Sequence, residues 1–307
     1  MNEKPPVIFI MGPTATGKTE LAIYLHEKIN SEIISVDSAM VYRGLDIGTA
    51  KPDKSLLEIV PHRLIDICDP AEVYSAARFQ QDAYTAVNEI HAKGKIPILV
   101  GGTGLYFRAL EKGLDKLPEA NYEIRRKIEK EAEKKGWQYM HEKLSVVDKK
   151  SAIKINQNDT QRIQRALEVY GITGCPMSDL TAKKEKKVFP HPIKKIILYP
   201  DNRSLLHQRI EMRFIKMLNN GFVDEVESMY RRGDLTSDLP SMRLVGYRQI
   251  WKYLNNQFNY KEMQEHSIIA TRQLAKRQIT WCRTENNADY YDPYDSGTFS
   301  KILDNIK

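Results

Sequence analysis

The stretch V7-IFIMGPTATGKTELAIY-L25 decides how the rest of the chain is read. Five apolar residues, Val7 to Met11, run into Gly12, pass through Gly17-Lys18-Thr19, and give way to apolar residues at helical spacing. Gly12 to Thr19 fits G-x-x-x-x-G-K-[ST] in full, in the strand–loop–helix setting the pattern requires. The glycines let the backbone turn so that successive N–H groups point at phosphate oxygens. The helix N-terminus adds its dipole, Lys18 adds a point charge, and the Thr19 hydroxyl can ligate Mg²⁺. The pattern specifies a di- or triphosphate and says nothing of which one.

Working outward, Leu21, Ala22, Leu25 and Ile29 mark a helix after the loop, and "SEIISVDS" a second strand ending at Asp37. "HRLIDICDP" reads as a third strand. "SAARFQQDAYTAVNEIHAKG" reads as a helix capped by Ser75 and closed by Gly94. "KIPILVGGTG" is a buried strand that again runs into glycines. Alternation of this kind predicts an α/β fold, a P-loop NTPase-like parallel sheet core flanked by helices. From about Leu114 the pattern is helical, with "YEIRRKIEKEAEKKG" and "NDTQRIQRALEVYGITG" the best segments. "TAKKEKKVFPHP" looks like a linker, and its "KKEKK" run like a solvated one. "IKKIILYPD" restores a strand, and two or three helices finish the chain. The division expected is residues 1–114 for the first part of the core, 115–195 for an inserted small all-helical domain, and 196–307 for a mostly helical return to the core.

A nucleoside triphosphatase needs a strand ending in a carboxylate that holds Mg²⁺ and positions water. The natural carrier ends instead in Gly101-Gly102-Thr103. Asp37 is the one carboxylate at the end of an apolar strand beside the loop, where open α/β sheets bind ligands. It reads as a general base, a metal partner or a plain turn aspartate.

The net charge of +7 leans toward a polyanionic partner. Basic residues cluster in four segments. Arg209, Arg213 and Lys216 share one helix face opposite Leu206, Ile210, Phe214 and Met217. Arg272, Lys276 and Arg283 line up near Thr280 and Trp281, Arg162 and Arg165 share a face, and Arg243 and Arg248 flank a glycine turn. Cations with an interleaved ring suit a nucleic acid strand. The three cysteines, Cys68, Cys175 and Cys282, are scattered, and His62, His91, His141, His191, His207 and His266 lack ligand spacing, which argues against a disulfide framework or a zinc module. No apolar run approaches the ~18 residues of a membrane span, so the expectation is a cytoplasmic protein with no membrane contact.

Six segments together resemble the tRNA dimethylallyltransferases (IPP transferases) in the family's own order. They are "GPTATGKT", "SVDSAMVYRGLDIGTAKP", "VGGTGLYFRAL", "NDTQRIQRALEVY", "LPSMRLVGYRQIW" and "TRQLAKRQITWCR". The resemblance implies transfer of a dimethylallyl group from dimethylallyl diphosphate to N6 of the adenosine immediately 3′ of the anticodon, in tRNAs reading codons that begin with U. It implies that Gly12 and Thr14 to Thr19 bind the diphosphate with Mg²⁺ on Thr19, and that Asp37 is the base. Thr103 and Arg213 join Asp37 as catalytic candidates. Asp37, Ser38, Ala39, Met40 and Thr103 would contact the flipped adenine. Further tRNA contacts would be Arg126; Gln161, Arg162, Ile163, Gln164 and Arg165; Arg243, Leu244, Val245, Gly246, Tyr247 and Arg248; and Lys276, Arg277, Gln278, Ile279, Thr280, Trp281, Cys282 and Arg283. The helical domain would clasp the anticodon stem-loop, and the family leads one to expect a monomer. Some eukaryotic members carry a C-terminal zinc finger, for which nothing after Arg283 provides the ligands. The alternatives are an adenylate isopentenyltransferase using free AMP and an RNA-associated P-loop kinase or ATPase.

Overall fold

The structure is a computed structural model, and it describes residues 5–182 and 188–306. The "KKEKK" run, residues 183–187, lies outside them. By internal contacts the chain divides into two compact units. One comprises the residues up to Glu111 together with those from Phe189 onward, and the other is Lys112–Val188.

The first unit is built on six parallel strands: β1 (Val7–Met11), β2 (Ser31–Val36), β3 (His62–Arg63), β4 (Ile96–Gly101), β5 (Ile193–Leu198) and β6 (Ala288–Tyr291). Their order in the sheet is β3-β2-β4-β1-β5-β6. The helices follow in chain order as α1 (Lys18–Lys28), α2 (Lys54–Ile59), α3 (Ala76–Ala92), α4 (Gly104–Lys112), α5 (Tyr122–Val147), α6 (Lys149–Lys154) and α7 (Thr160–Thr173). They continue as α8 (Met177–Ala182), α9 (Arg203–Asn219), α10 (Phe222–Arg231), α11 (Tyr247–Leu254), α12 (Tyr260–Cys282) and α13 (Thr298–Ile306).

Because successive strand side chains point to opposite faces, β1 feeds two cores. Val7, Phe9 and Met11 pack with Phe79, Ala83 and Val87 of α3 and Phe107 of α4. Ile8 and Ile10 pack with Leu21 and Leu25 of α1 and Ile302 of α13. Burial on both faces explains why these strands read as unbroken apolar runs. In parallel register, Met11 stands beside Gly101 on one side and Ile197 on the other, while Val36 also stands beside Gly101. The C-terminal ends of β1, β2 and β4 therefore converge, and the segments that follow them lie together.

Three expectations need correction. The third strand stops at Arg63, because Leu64 and Asp66 take left-handed φ values of 63° and 56° and turn the chain out of the sheet. Tyr290 and Tyr291 lie on β6, a strand the sequence reading missed, paired to β5 as Leu198 to Tyr291. The chain ends in five helices, α9 to α13, because Gly221 and Gly246, at φ 93° and 90°, start the short α10 and α11.

The second unit is helical, from α5 to α8. Its boundary falls at Val188 instead of 195, because Phe189 is buried in the sheet core and β5 starts at Ile193. Within α5, Gly136 at φ 83° breaks the helix into two pieces, and both bury residues: Ile128 and Ala132 before it, Met140 and Leu144 after. They close over Ile163, Ala166 and Leu167 of α7. Beside this core sits the wholly buried carboxylate of Glu168. It accepts hydrogen bonds from the Asn121 N–H at 2.7 Å, Arg125 Nε at 2.9 Å and Arg165 Nη1 at 2.7 Å. Burial by itself would raise the Glu168 pKa, but the donors from Arg125, Arg165 and Asn121 outweigh it and hold the carboxyl below its usual value.

Glu168→Ala removes the acceptor and leaves two guanidiniums that water can partly reach. We expect the unit to lose roughly 2–3 kcal/mol, below the usual cost of breaking a fully buried pair because water screens the guanidiniums. A carboxyl with a depressed folded pKa contributes stability above its unfolded value near 4.5 and loses it as pH falls through the folded value. Thermal melts of variant and wild type should therefore differ most at about pH 6, and the difference should shrink as the pH is taken below the unfolded value.

Candidate active site

The phosphate loop joins β1 to α1. Ala15 and Gly17 both take left-handed φ, 65° and 80°, which turns consecutive N–H groups inward in the manner of an anion-binding nest. The loop is braced by its own groups: Thr16 Oγ1 donates to the Pro13 carbonyl at 2.8 Å, and Lys18 Nζ donates to the same oxygen. Burial first and the neighbouring Arg213 cation second lower the Lys18 pKa to about 8, with Asp37 acting against them. A buried ammonium beside a second cation is a group waiting for an anion.

Helix α9 follows β5, the strand paired to β1. Its stripe of Leu206, Ile210 and Phe214 is buried, which aims the opposite face at the loop. Arg213 Nη1 donates to Thr14 Oγ1 at 3.3 Å, and Arg209 Nε donates to the Ala15 carbonyl at 3.1 Å. Burial pulls the Arg213 pKa below its usual value, while Asp37 and Glu20 oppose that shift.

Asp37 follows β2 directly. Its Oδ1 accepts from the Ala39 N–H at 2.8 Å and the Met40 N–H at 3.4 Å, and Oδ2 accepts no hydrogen bond from the described residues. The turn reading of Asp37 is thus correct for one oxygen, while the other stays available. Thr103, after β4, accepts from the Ser38 N–H at 3.1 Å and stands 3.4 Å from the Ser38 hydroxyl.

Two cavities meet here. One, of about 900 Å³, is lined by Thr14 to Thr19, Asp37, Arg209, Arg213 and Lys216 among others. The other, of about 350 Å³, is lined by Ser38, Ala39, Thr103, Phe214, Phe222 and the stretch from Arg243 to Tyr247 among others. Thr14, Ala15, Asp37, Thr49, Gly102, Arg213, Met217 and Gln278 line both. The loop side of the first, where Lys18, Arg209, Arg213 and Lys216 stand beside the loop amides, suits phosphates. The second is walled by hydroxyls, backbone and aromatic rings and suits a flat, uncharged ring or hydrocarbon. Asp37 stands at the junction.

Among the described residues no cluster of three His, Cys, Asp or Glu could hold a metal. The Thr19 hydroxyl lines the larger cavity and makes no hydrogen bond to the described residues. That donor set fits Mg²⁺, which takes one or two protein ligands and fills its shell with phosphate oxygens and water.

A family model described as IPP transferase matches residues 40–285. The chain belongs to the IPP transferase family. The tRNA dimethylallyltransferase of Coxiella burnetii is 52% identical over 307 residues, 100% of this chain and 99% of that one. The one from Alkalilimnicola ehrlichii is 56% identical over 281 residues, 92% of this chain and 88% of that one. Among solved structures, a full-length tRNA isopentenylpyrophosphate transferase from Bacillus halodurans matches with a TM-score of 0.72 at 36% identity, covering 99% of this chain and 96% of that one. A eukaryotic dimethylallyltransferase acting on tRNA matches with a TM-score of 0.80 at 27% identity, covering 99% of this chain and 77% of that one.

The IPP transferase resemblance named many residues as tRNA contacts, and the structure sorts them. Arg126, Gln161, Arg162, Arg243, Arg248, Lys276, Arg277, Thr280 and Arg283 are exposed. Leu244 and Val245 are half-buried walls of the smaller cavity, and Gly246 is buried beside them. Three side chains are corrections: Ile163, Ile279 and Cys282 are buried in hydrophobic cores or their margins, where an RNA strand cannot reach them, whereas the buried Tyr247 lines the smaller cavity. Burial also pushes the Cys282 thiol up to about 12, an inert group. Arg165 is half-buried and donates to Glu168 and the Pro118 carbonyl. Gln164 donates to Glu129, and Arg272 is paired with Glu211 at 2.8 Å. Trp281 stacks near Phe107 with centroids 6.1 Å apart.

Gln278 has a place the sequence did not suggest. Its Oε1 accepts from the Thr14 N–H at 2.9 Å and its Nε2 donates to the Gly102 carbonyl at 3.0 Å, so α12 ties the phosphate loop to the end of β4. A Cβ at Gly101, the last residue of β4, would lie 2.0 Å from the Val36 carbonyl oxygen, which is why this strand ends in glycine instead of an acid.

Two supporting residues escaped sequence reasoning. Lys51, its side chain 3% exposed, binds Asp46, Asp66 at 2.6 Å and the Tyr42 carbonyl at 3.1 Å, which pins the loop after Asp37. Glu225 accepts from the N–H groups of Asp46, Ile47 and Gly48 and from the Tyr247 hydroxyl. Lys51 lay inside a segment that carried the resemblance. Glu225 lay in an unremarkable acidic stretch and had no signal.

Proposed function

We propose that the protein transfers the dimethylallyl group of dimethylallyl diphosphate to N6 of the adenosine immediately 3′ of the anticodon, in tRNAs reading codons that begin with U, releasing diphosphate. The observation that carries this reading is Asp37, whose Oδ2 is uncommitted where a cationic cavity and a ring-sized cavity join.

The donor's diphosphate rests on the N–H groups of Ala15 to Gly17 and on Lys18, while the Thr14 N–H is held by Gln278. The adenine, out of its stack, enters the smaller cavity beside Ser38 and Thr103. Asp37 accepts the N6 hydrogen bond and later the proton, as the N6–C1 bond forms and the C1–O bond breaks. The departing oxygens take the electron pair, and Lys18 and Arg213 face that growing charge. Thr19 would hold Mg²⁺, which supplies further positive charge to the diphosphate when bound. The helical unit presents Arg126, Gln161 and Arg162 to the anticodon stem-loop, and the core presents Arg243, Arg248, Lys276 and Arg277. Among the described residues no helix is long and apolar enough to cross a membrane. We place the enzyme in the cytoplasm, acting as a monomer.

The test supplies labelled dimethylallyl diphosphate, Mg²⁺ and one of three acceptors: unmodified tRNA with a U-reading anticodon, free AMP, or water in the presence of ATP. Label should enter the tRNA only. Label in AMP instead would favour the adenylate isopentenyltransferase. ATP turnover outpacing prenyl transfer would favour the kinase or ATPase, which the glycine end of β4 already disfavours.

A further inference from the structure

The apolar end of the smaller cavity is built around one ring. Phe222 opens α10 and is 1% exposed, yet it lines the cavity of about 350 Å³, so it is a closed end and not a rim. Two backbone segments press on its edges. A Cβ at Gly48 would lie 2.1 Å from Phe222 Cε2, and one at Gly246 would lie 2.8 Å from Cε1. Phe214 and Tyr247 meet the ring edge-on, at centroid distances of 6.2 and 5.0 Å. Glu225, on the same helix, holds the Gly48 segment and the Tyr247 hydroxyl in place. A ring boxed in this way is a rigid wall, since interiors at this density do not yield to an extra methylene without strain.

The two sides of the cavity differ in chemistry. Asp37, Ser38 and Thr103 offer hydrogen-bonding groups, which the edge of an extruded adenine requires. Phe214, Met217 and Phe222 offer only hydrocarbon and sulfur, and Met217 lines both cavities. A path therefore runs from the phosphate loop across Met217 to Phe222, and its apolar walls match the tail of a prenyl diphosphate.

We propose that Phe222 is the end wall that sets the length of prenyl donor accepted, five carbons in preference to ten. The proposal rests on the prenyl-transfer reading above. Each added isoprene unit would have to occupy the volume of the Phe222 ring, and the clamped ring cannot give way.

The test compares kcat/KM for geranyl diphosphate with that for dimethylallyl diphosphate, on unmodified tRNA, in wild type, Phe222→Leu and Phe222→Val. The ratio is taken within one preparation, so any loss of folded protein cancels. Leu keeps most of the volume and serves if Val folds poorly. The ratio should rise on the order of tenfold or more in the variants, the scale of discrimination that a few methylenes in an apolar pocket provide. An unchanged ratio in both variants overturns the wall. A wild type that transfers no five-carbon group to tRNA would strike the prenyl-transfer reading itself, and the wall with it.

Discussion

Asp37→Asn should reduce kcat for prenyl transfer by about 10²–10⁴-fold, the range for removing a positioned general base. Asn retains an oxygen where Asp37 Oδ1 accepts from the Ala39 and Met40 N–H groups, so the turn that shapes the acceptor wall is kept. What is lost is the carboxylate oxygen that accepts the N6 proton. tRNA binding, measured by fluorescence anisotropy with a labelled anticodon stem-loop, should stay close to wild type. Asp37→Ala removes both functions and should lose turnover at least as severely. Weakened tRNA binding with normal turnover at saturation would refute the base and leave Asp37 as a turn residue only.

Arg213→Ala should lower kcat by about 10²–10³-fold, the usual effect of deleting one donor aimed at developing negative charge. The guanidinium touches Thr14 on the loop and is held among Asp37, Glu20 and the Lys18 ammonium. A second readout separates this role from a structural one. Lys18 sits at about 8, first from burial and then from the Arg213 charge. Removing that charge favours the protonated form, so the Lys18 pKa must rise. The basic limb of the kcat/KM profile for the donor, which reports free-enzyme groups, should fall near pH 8 in wild type and at higher pH in the variant. A limb that does not move, with kcat unchanged, would remove Arg213 from the site.

Local sequence settled a great deal here, and the reason is the range of the forces involved. The loop Gly12–Thr19, the strands β1, β2, β4 and β5, and the Ser75 cap all follow from contacts within a few residues. Even the fully apolar strands carry their own message, since burial on both faces leaves no room for alternation. Asp37 and Thr103 were legible as ends of strands, where ligands of open sheets gather. The acidic residue missing after β4 was legible as well, and it steered the reading away from ATP hydrolysis.

What stayed hidden depended on distant partners. Arg165 looks like any basic residue on a helix face until Glu168 is seen inside, taking its charge. Cys282 and Ile279 sit in a motif that the family resemblance read as RNA contact, but helix periodicity turns Ala275, Ile279 and Cys282, four and three residues apart, toward the core. Gln278 binds Thr14 across 264 residues, and Glu225 reaches Ile47 across 178. No window on the chain contains both ends of such a bond. The sequence by itself determined which residues could hold a phosphate and which could take a proton. Only the tertiary structure decided that they share one junction, because α9, α10 and α12 bring their side chains there through packing that no local pattern encodes.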